Sequence, residues 1–280
     1  MPELPEVETI ARGLHRRVTG DVIQLIWLGE KPEPLKSPAA EITRVLEHSR
    51  ITQVRRVGKH IVFDVEKIPG SRRSKPNRGQ WIVHLGMTGK MQVAGPETEI
   101  AKHTHAIARL ASGREVRFVD PRRFGRLAVT VVSDTTSGFS APGDEPLNLP
   151  VDRFVGLFRR RKTPIKSALL NQSLLSGVGN IYADESLFRA GIRPSRRAST
   201  LSRERLVKLH SALQEVLREA IALGGSSISD YVDPDGEEGF FQLQHRVYGR
   251  KGEPCLVCKK PVKRIVIAGR SSHYCTNCQK

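Results

Sequence analysis

The sequence has no apolar run long enough to cross a membrane. It also has no basic segment followed by an apolar one near its start, where Glu3, Glu6 and Glu8 stand instead. These absences lead us to expect a cytoplasmic protein with no membrane partner. Acidic residues are scarce, 29 against 46 lysines and arginines, which leaves a formal net charge of +17. The deficit predicts a polyanionic partner, most simply nucleic acid, and leaves open a ribosome-associated or membrane-surface protein. Cysteine is absent before Cys255, and all four cysteines then fall in two close pairs. An oxidised secreted chain would more often spread its bridges, so this clustering favours metal over disulfide. Long internal repeats are missing as well.

A chain of 280 residues is long enough for a sizeable core and more plausibly forms two domains than one. Val7, Ile10, Ala11, Leu14 and Val18 share one face of a helix spanning residues 3–18. Eight short β-rich runs follow between Val22 and Val132, separated by turns and without repeated long helices. That pattern predicts an antiparallel two-layer sheet rather than a doubly wound parallel one. Lys67–Gly79, with five basic residues and no acid, reads as an exposed inserted loop, either simply solvated or an auxiliary nucleic-acid contact.

Ser133–Pro150, rich in Ser, Gly, Pro and Asp, reads as an interdomain connection. Beyond it the pattern turns helical, over 153–160, 165–170, 181–188 and 203–223, the last stopped by Gly224-Gly225. The expected class is therefore α+β. We divide the chain into an N-terminal helix and β-sandwich domain (1–132), a linker (133–150), a helical domain (151–240) and a terminal finger (241–280).

Cys255-Leu256-Val257-Cys258 and Cys275-Thr276-Asn277-Cys278 form two C-x2-C knuckles sixteen residues apart. This spacing can set four thiolates tetrahedrally around one Zn²⁺. Because every ligand place is filled, the metal is expected to be structural. Val262–Ile267 and His273-Tyr274, flanking Ala268-Gly269-Arg270, read as a β-hairpin with a basic edge. Arg270 is a candidate phosphate ligand or a solvated turn charge.

Two further stretches carry candidate chemistry. Ser176-Gly177-Val178-Gly179-Asn180 places two glycines before a helix, where free N–H groups can meet an anion. Asn180 is then a cap or a phosphate ligand, with Lys166 able to approach the same anion; an ordinary helix–helix turn fits equally well. At the start of the chain, Pro2 and its neighbouring acids suit any helix beginning. If Met1 is removed, however, Pro2 exposes a secondary amine able to form an iminium with an aldehyde-type carbon.

Five segments occur in order: Pro2-Glu3-Leu4-Pro5-Glu6, His84-Leu85-Gly86-Met87-Thr88-Gly89, Asp120-Pro121-Arg122-Arg123-Phe124-Gly125, Gly177-Val178-Gly179-Asn180-Ile181-Tyr182-Ala183, and the four-cysteine finger. Together they resemble the bacterial formamidopyrimidine-DNA glycosylase family across essentially the whole chain. The resemblance implies a DNA glycosylase and abasic-site lyase that excises oxidised purines from double-stranded DNA as a nucleoid-associated monomer. It also implies that the helical domain is a helix-two-turns-helix unit.

The same resemblance assigns roles. Pro2 becomes the nucleophile at C1′, Glu3 the proton-transfer residue, and Glu6 a residue that positions the amine. Lys59, otherwise a solvated strand-end lysine, contacts phosphate near the lesion, joins the catalytic residues by stabilising charge on the departing phosphate and, with Lys166, Asn180 and Arg270, forms an anion clamp. Met87 fills the space left by the everted base, Arg122 meets the orphaned cytosine and Phe124 wedges beside it; without the resemblance Met87 and Phe124 would read as core residues. Ser227 and Tyr231, in the loop after the long helix, become lesion contacts or part of a plain connector. His84 reads as structural, Glu8 as a surface or helix-start charge, and His103 and His105 as surface or strand residues. Two other readings stay open: an endonuclease VIII-like branch preferring oxidised pyrimidines, and a noncatalytic zinc-hairpin DNA-binding protein. The basic 67–79 stretch is longer than the short strand connection expected of the family.

Overall fold

A computed structural model describes residues 1–68, 77–133, 135–226 and 239–280. The chain divides into two compact units. One comprises Met1–Ser140 with the Ser226–Gly239 stretch, of which only Ser226 and Gly239 are described; the other comprises Ala141–Gly225 and Phe240–Lys280.

The first unit opens with α1 (Leu4–Val18), started by a proline in its first turn and by a capping box between Glu3 and Glu6. Its apolar face of Leu4, Val7, Ile10, Leu14 and Val18 is fully buried. Eight strands follow: β1 (Val22–Leu28), β2 (Ser49–Val57), β3 (His60–Lys67), β4 (Arg78–His84), β5 (Lys90–Ala94), β6 (Thr104–Leu110), β7 (Glu115–Val119) and β8 (Arg126–Val132). They form one antiparallel ladder in the order β5-β7-β6-β1-β2-β3-β4-β8.

The ladder is thinnest between β1 and β2, which share only the pairs Val22↔Arg50 and Ile23↔Ser49. Here the sheet folds over into two layers. Ile23, Ala108, Val116 and Phe118 from one half and Ile51, Phe63, Trp81 and Leu127 from the other join α1 in a single core. The expected β-sandwich is present, with strand ends within a few residues of those read from the sequence.

One element went unseen in the sequence, α2 (Ala39–Leu46). Prolines at 32, 34 and 38 mask it, yet Ile42, Val45 and Leu46 lie at helical spacing and are buried. The helix also corrects the expected 67–79 loop. Lys67 ends β3, and Arg78 and Gly79 begin β4. Gly79 has its place there because a Cβ would approach Val45 Cγ1 of α2 to 2.6 Å. The rest of that expected loop, residues 69–76, lies outside the described residues.

The stretch expected as a linker is docked on both sides of the division. Phe139 donates its N–H to Gln80 Oε1 at 2.7 Å and packs edge-on against His60. Asp144 pairs with Leu175 in the second unit.

The second unit holds α3 (Val151–Phe158), α4 (Ile165–Leu169), α5 (Asn180–Ala190), α6 (Arg203–Ala222) and the hairpin β9 (Lys263–Ile267) and β10 (Arg270–Tyr274). Gly191, at φ +70°, ends α5 in the left-handed conformation that glycine adopts without strain. The finger shares a small core with α5. Phe188 of that helix enters it beside Val247, Val262, Cys255 and Cys275. A core this small needs another source of stability, which a metal bound by the four thiols can supply.

Candidate functional site

In the first unit the chain start is held by carboxylates. Glu3 and Glu6 are 4% and 2% exposed, and Pro2 is half-buried between Met1 and this pair. Glu6 Oε2 accepts the Glu3 backbone N–H at 2.8 Å, and Glu6 Oε1 accepts the Ser226 backbone N–H, also at 2.8 Å. Burying a carboxylate is costly unless donors replace its water, and these two N–H groups do so. The first peptide units are thereby fixed relative to Ser226. Glu8 is engaged elsewhere, in ion pairs with Arg12 at 2.7 Å and Arg56 at 2.8 Å.

Lys59 sits half-exposed in the two-residue turn that joins β2 to β3, after Gly58 at φ +60°. Its charge reaches His84 at the end of β4. Burial, aided by the positive charges of His60, Lys59 and Arg126, holds the His84 imidazole down to about 4. His84 is therefore neutral near pH 7, and its Nδ1 accepts the Gly86 backbone N–H at 3.0 Å. This agrees with its expected structural role. His105 is a buried strand residue whose Nε2 lies 3.0 Å from the Asp120 carbonyl oxygen.

Two sheet turns present the side chains expected to form a wedge. Met87 is 43% exposed and Phe124 53%, although both are apolar. The Arg122 guanidinium lies 4.8 Å from the Phe124 ring centroid, a cation–π contact that orients both. The turns touch at Gly86, φ +63°, where a Cβ would come within 2.5 Å of the Phe124 carbonyl carbon. Arg123, adjacent to Arg122, is instead paired with Glu33 at 2.7 Å.

In the second unit, Lys166, Asn180 and Arg270 converge on Ser271, though not as equivalent ligands. Lys166 is fully buried. Its Nζ lies 2.6 Å from Asp184 Oδ1 and donates to the Ser271 carbonyl at 2.6 Å. The expectation that Lys166 reaches an anion is corrected: the ammonium sits inside, where leaving Asp184 uncompensated would be costly, and it braces the hairpin. Asn180 is the first residue of α5 rather than its cap, which is Gly179. Asn180 Nδ2 donates to Ser271 Oγ at 3.2 Å, while Oδ1 is buried with no hydrogen-bond partner among the described residues. Arg270 is the first residue of β10 and is exposed. The Gly177 N–H, one of those expected to meet an anion, is taken by Gln172 Oε1 at 3.0 Å.

The four cysteine sulfurs lie within 4.8 Å of one another, with Cys258 and Cys275 Sγ atoms 3.4 Å apart and Cys255 and Cys278 3.9 Å apart. Zinc–sulfur bonds of about 2.3 Å at tetrahedral angles place sulfurs about 3.8 Å apart, so the cluster fits one such ion. A backbone hydrogen bond at Lys260 brings Cys258 down to about 6, and burial beside other sulfurs pushes Cys278 up to about 12.

Three residues that sequence reasoning passed over support these sites. Asp184 accepts the His273 backbone N–H at 2.8 Å besides meeting Lys166. Its neighbour Glu185 accepts the N–H groups of Arg246, Val247 and Tyr248 at 2.9, 3.0 and 2.8 Å, which fixes the approach to the finger. Burial nonetheless raises the Glu185 carboxyl above the usual range. The available signal was two adjacent acids in a helix whose other positions are mostly apolar. Asp120, fully buried between the wedge turns, is the third. Ser227 and Tyr231 lie outside the described residues.

A chain start set among buried carboxylates, apolar side chains exposed on turns and a basic cysteine hairpin are each features that suit a protein acting on duplex DNA. The class is that of enzymes processing damaged DNA. Family models match residues 1–127 as a formamidopyrimidine-DNA glycosylase N-terminal domain, 142–232 as the H2TH domain of the same enzymes, and 252–280 as a zinc finger found in FPG and IleRS. A formamidopyrimidine-DNA glycosylase of Solibacter usitatus is 44% identical over 286 residues, covering all of both chains.

The crystal structure of the MutM (Fpg) protein of Thermus thermophilus matches with 41% identity and a TM-score of 0.83, over 99% of this chain and 98% of that one. Wild-type Lactococcus lactis Fpg in complex with DNA containing N7-benzyl-Fapy-dG matches with 31% identity and a TM-score of 0.87, over the full length of both. The L. lactis protein is also known in complexes with abasic-site DNA and with oxidised-pyrimidine DNA. This chain belongs to the formamidopyrimidine-DNA glycosylase family.

Proposed function

We propose that Pro2 is the nucleophile of this bifunctional DNA glycosylase and abasic-site lyase, and that its principal substrates are oxidised purines in duplex DNA. With Met1 removed, the secondary amine attacks C1′ of the everted nucleotide and the base leaves. Opening of the sugar ring gives an iminium. Its electron-withdrawing character allows loss of the 2′ proton and departure of the 3′ phosphate, and a second elimination releases the 5′ phosphate. Glu3, one residue away, assists ring opening and carries protons through the eliminations. Glu6 holds the peptide that bears them. Lys59 meets phosphate close to the lesion, and Arg270, backed by Ser271 and Asn180, meets phosphate from the finger. Met87, Arg122 and Phe124 occupy the gap left by eversion.

The observation that carries this reading is the buried Glu3–Glu6 pair beside Pro2, joined at 2.8 Å. One Zn²⁺ held by Cys255, Cys258, Cys275 and Cys278 would have all four coordination places filled, so it would stabilise the finger and leave no place for a reacting water. We take the protein to act as a cytoplasmic, nucleoid-associated monomer; its 46 basic against 29 acidic residues support the association with DNA.

A second reading, preference for oxidised pyrimidines, draws support from the L. lactis relative seen with such DNA. Single-turnover excision from matched duplexes carrying 8-oxoguanine or thymine glycol separates the two. Faster release of 8-oxoguanine is expected, and faster release of thymine glycol would replace the first reading with the second. Failure to cleave either of these or an abasic-site duplex, with no borohydride-trapped adduct, would leave a noncatalytic DNA-binding protein.

A further inference from the structure

The Met87 turn joins β4 to β5 and the Arg122–Phe124 turn joins β7 to β8; each connects strands that are not paired with each other, and ordinary loop mobility would let each move alone. One residue ties them together. Asp120 is 0% exposed. Its Oδ1 accepts the Thr88 hydroxyl of the first turn at 2.6 Å and faces the Arg122 backbone N–H at 3.3 Å, while Oδ2 accepts the Gly125 N–H at 2.7 Å. Asp120 is itself locked to the neighbouring strand. Its N–H donates to the His103 carbonyl at 3.0 Å, and its carbonyl lies 3.0 Å from His105 Nε2. Gly86 and Thr88, the residues on either side of Met87, both touch the other turn, Gly86 by backbone packing and Thr88 by this bond.

We propose that Thr88 and Asp120 form a latch that makes Met87, Arg122 and Phe124 enter the duplex as one rigid wedge, with Asp120 a positioning residue for lesion eversion. The inference rests on the reading of those three side chains as the wedge. A carboxylate is a strong acceptor for a hydroxyl when both are withdrawn from water, so the bond resists being exchanged for solvent as the turns meet DNA. If the turns moved separately, each would have to be ordered at the moment of insertion. Joined beforehand, they bring that cost already met.

Thr88→Val tests the latch, because valine keeps the shape and removes only the hydroxyl. Asp120→Asn would also strip the acceptor from the Gly125 N–H and loosen the turn itself. The full zinc-loaded chain is compared as wild type, Thr88→Val, Met87→Ala and the double variant. The substrates are one duplex with 8-oxoguanine opposite cytosine and one with an abasic site, which has no base to unstack. A fluorescent cytosine analogue opposite the lesion reports insertion.

Thr88→Val is expected to slow insertion and 8-oxoguanine excision roughly tenfold, with a modest fall in melting temperature from the bond lost at Asp120 and abasic-site cleavage unchanged. In the Met87→Ala background it should add nothing, since the latch then has no wedge to hold on that turn. Wild-type excision by Thr88→Val, equal losses on both substrates, or a loss undiminished in the Met87→Ala background would overturn the latch while leaving the wedge in place. Wild-type excision by Met87→Ala would instead overturn the wedge reading, and the latch with it.

Discussion

Glu6 lies one helical turn beyond Glu3 and accepts the Glu3 backbone N–H at 2.8 Å, so the N-cap residue next to Pro2 is held by the N3 carboxylate of its own helix. Structure and chemistry share one segment here. The capping box that starts α1 also fixes the geometry of the residues we assign to the reaction.

Glu3→Gln is accordingly expected to retain binding of lesion-containing duplex and to lose turnover by about a hundredfold or more, the usual scale for a displaced general acid or base. Glu6→Gln keeps the shape but turns one of its two acceptors into a donor facing an N–H. It should slow excision with a smaller effect on DNA affinity. Binding by fluorescence anisotropy and single-turnover cleavage check both, and unchanged turnover in Glu3→Gln would remove Glu3 from the mechanism.

Lys166 and Arg270 should separate cleanly, although both looked like phosphate ligands in the sequence. Lys166→Ala leaves Asp184 buried without its cation and is expected to cost about 3–5 kcal/mol of stability. Arg270→Ala, at an exposed position, should leave the melting temperature unchanged and weaken DNA binding. It should also lower the slope of log Kd against log salt by about one. Melting curves and salt titrations of the two variants decide this.

The buried histidines predict a pH dependence with a definite sign. Burial holds His84 and His245 down to about 4 and also lowers His60, against ordinary values of 6.5. Unfolded chains take up protons at these sites below pH 6.5 while the fold resists until about 4. Stability from this source is therefore complete above pH 6.5 and is lost as pH falls towards 4, by about 3 kcal/mol at most for each of His84 and His245. Protonating His84 also removes the acceptor for the Gly86 N–H beneath the Met87 turn. Melting temperatures from pH 7 to pH 4 should fall less steeply in His84→Gln than in the wild type.

Metal removal should act on the finger before the amine. Metal analysis is expected to return one zinc per chain, and chelation to unfold the hairpin and weaken DNA binding while α1 and its sandwich stay folded, because their core contains no cysteine. Circular dichroism of the zinc-free chain, with DNA titration alongside, tests this. A finger that keeps its structure without metal would refute the assignment.

The strands, α1 and the cysteine knuckles were legible because each rests on local periodicity or spacing that its own residues carry. Met87 and Phe124 were legible only through resemblance. Locally they are apolar residues beside glycines, and their exposure depends on where the sheet turns. Lys166 was misread for a related reason, since its partner Asp184 lies eighteen residues away on another helix and nothing local to Lys166 announces a buried cation. Asp120 was visible as part of a motif but not as a latch, because the Thr88 bond crosses between two separate connections, β4 to β5 and β7 to β8. The helix α2 was obscured by three prolines before it, although its buried face has ordinary spacing.

The most direct test is to incubate the zinc-loaded protein with a duplex containing 8-oxoguanine under borohydride, digest the trapped complex and locate the sugar by mass spectrometry. The account predicts a single adduct on the N-terminal peptide that begins at Pro2, with Met1 gone. An adduct on Lys59 or any other lysine, or a trapped chain that still carries Met1, would contradict it.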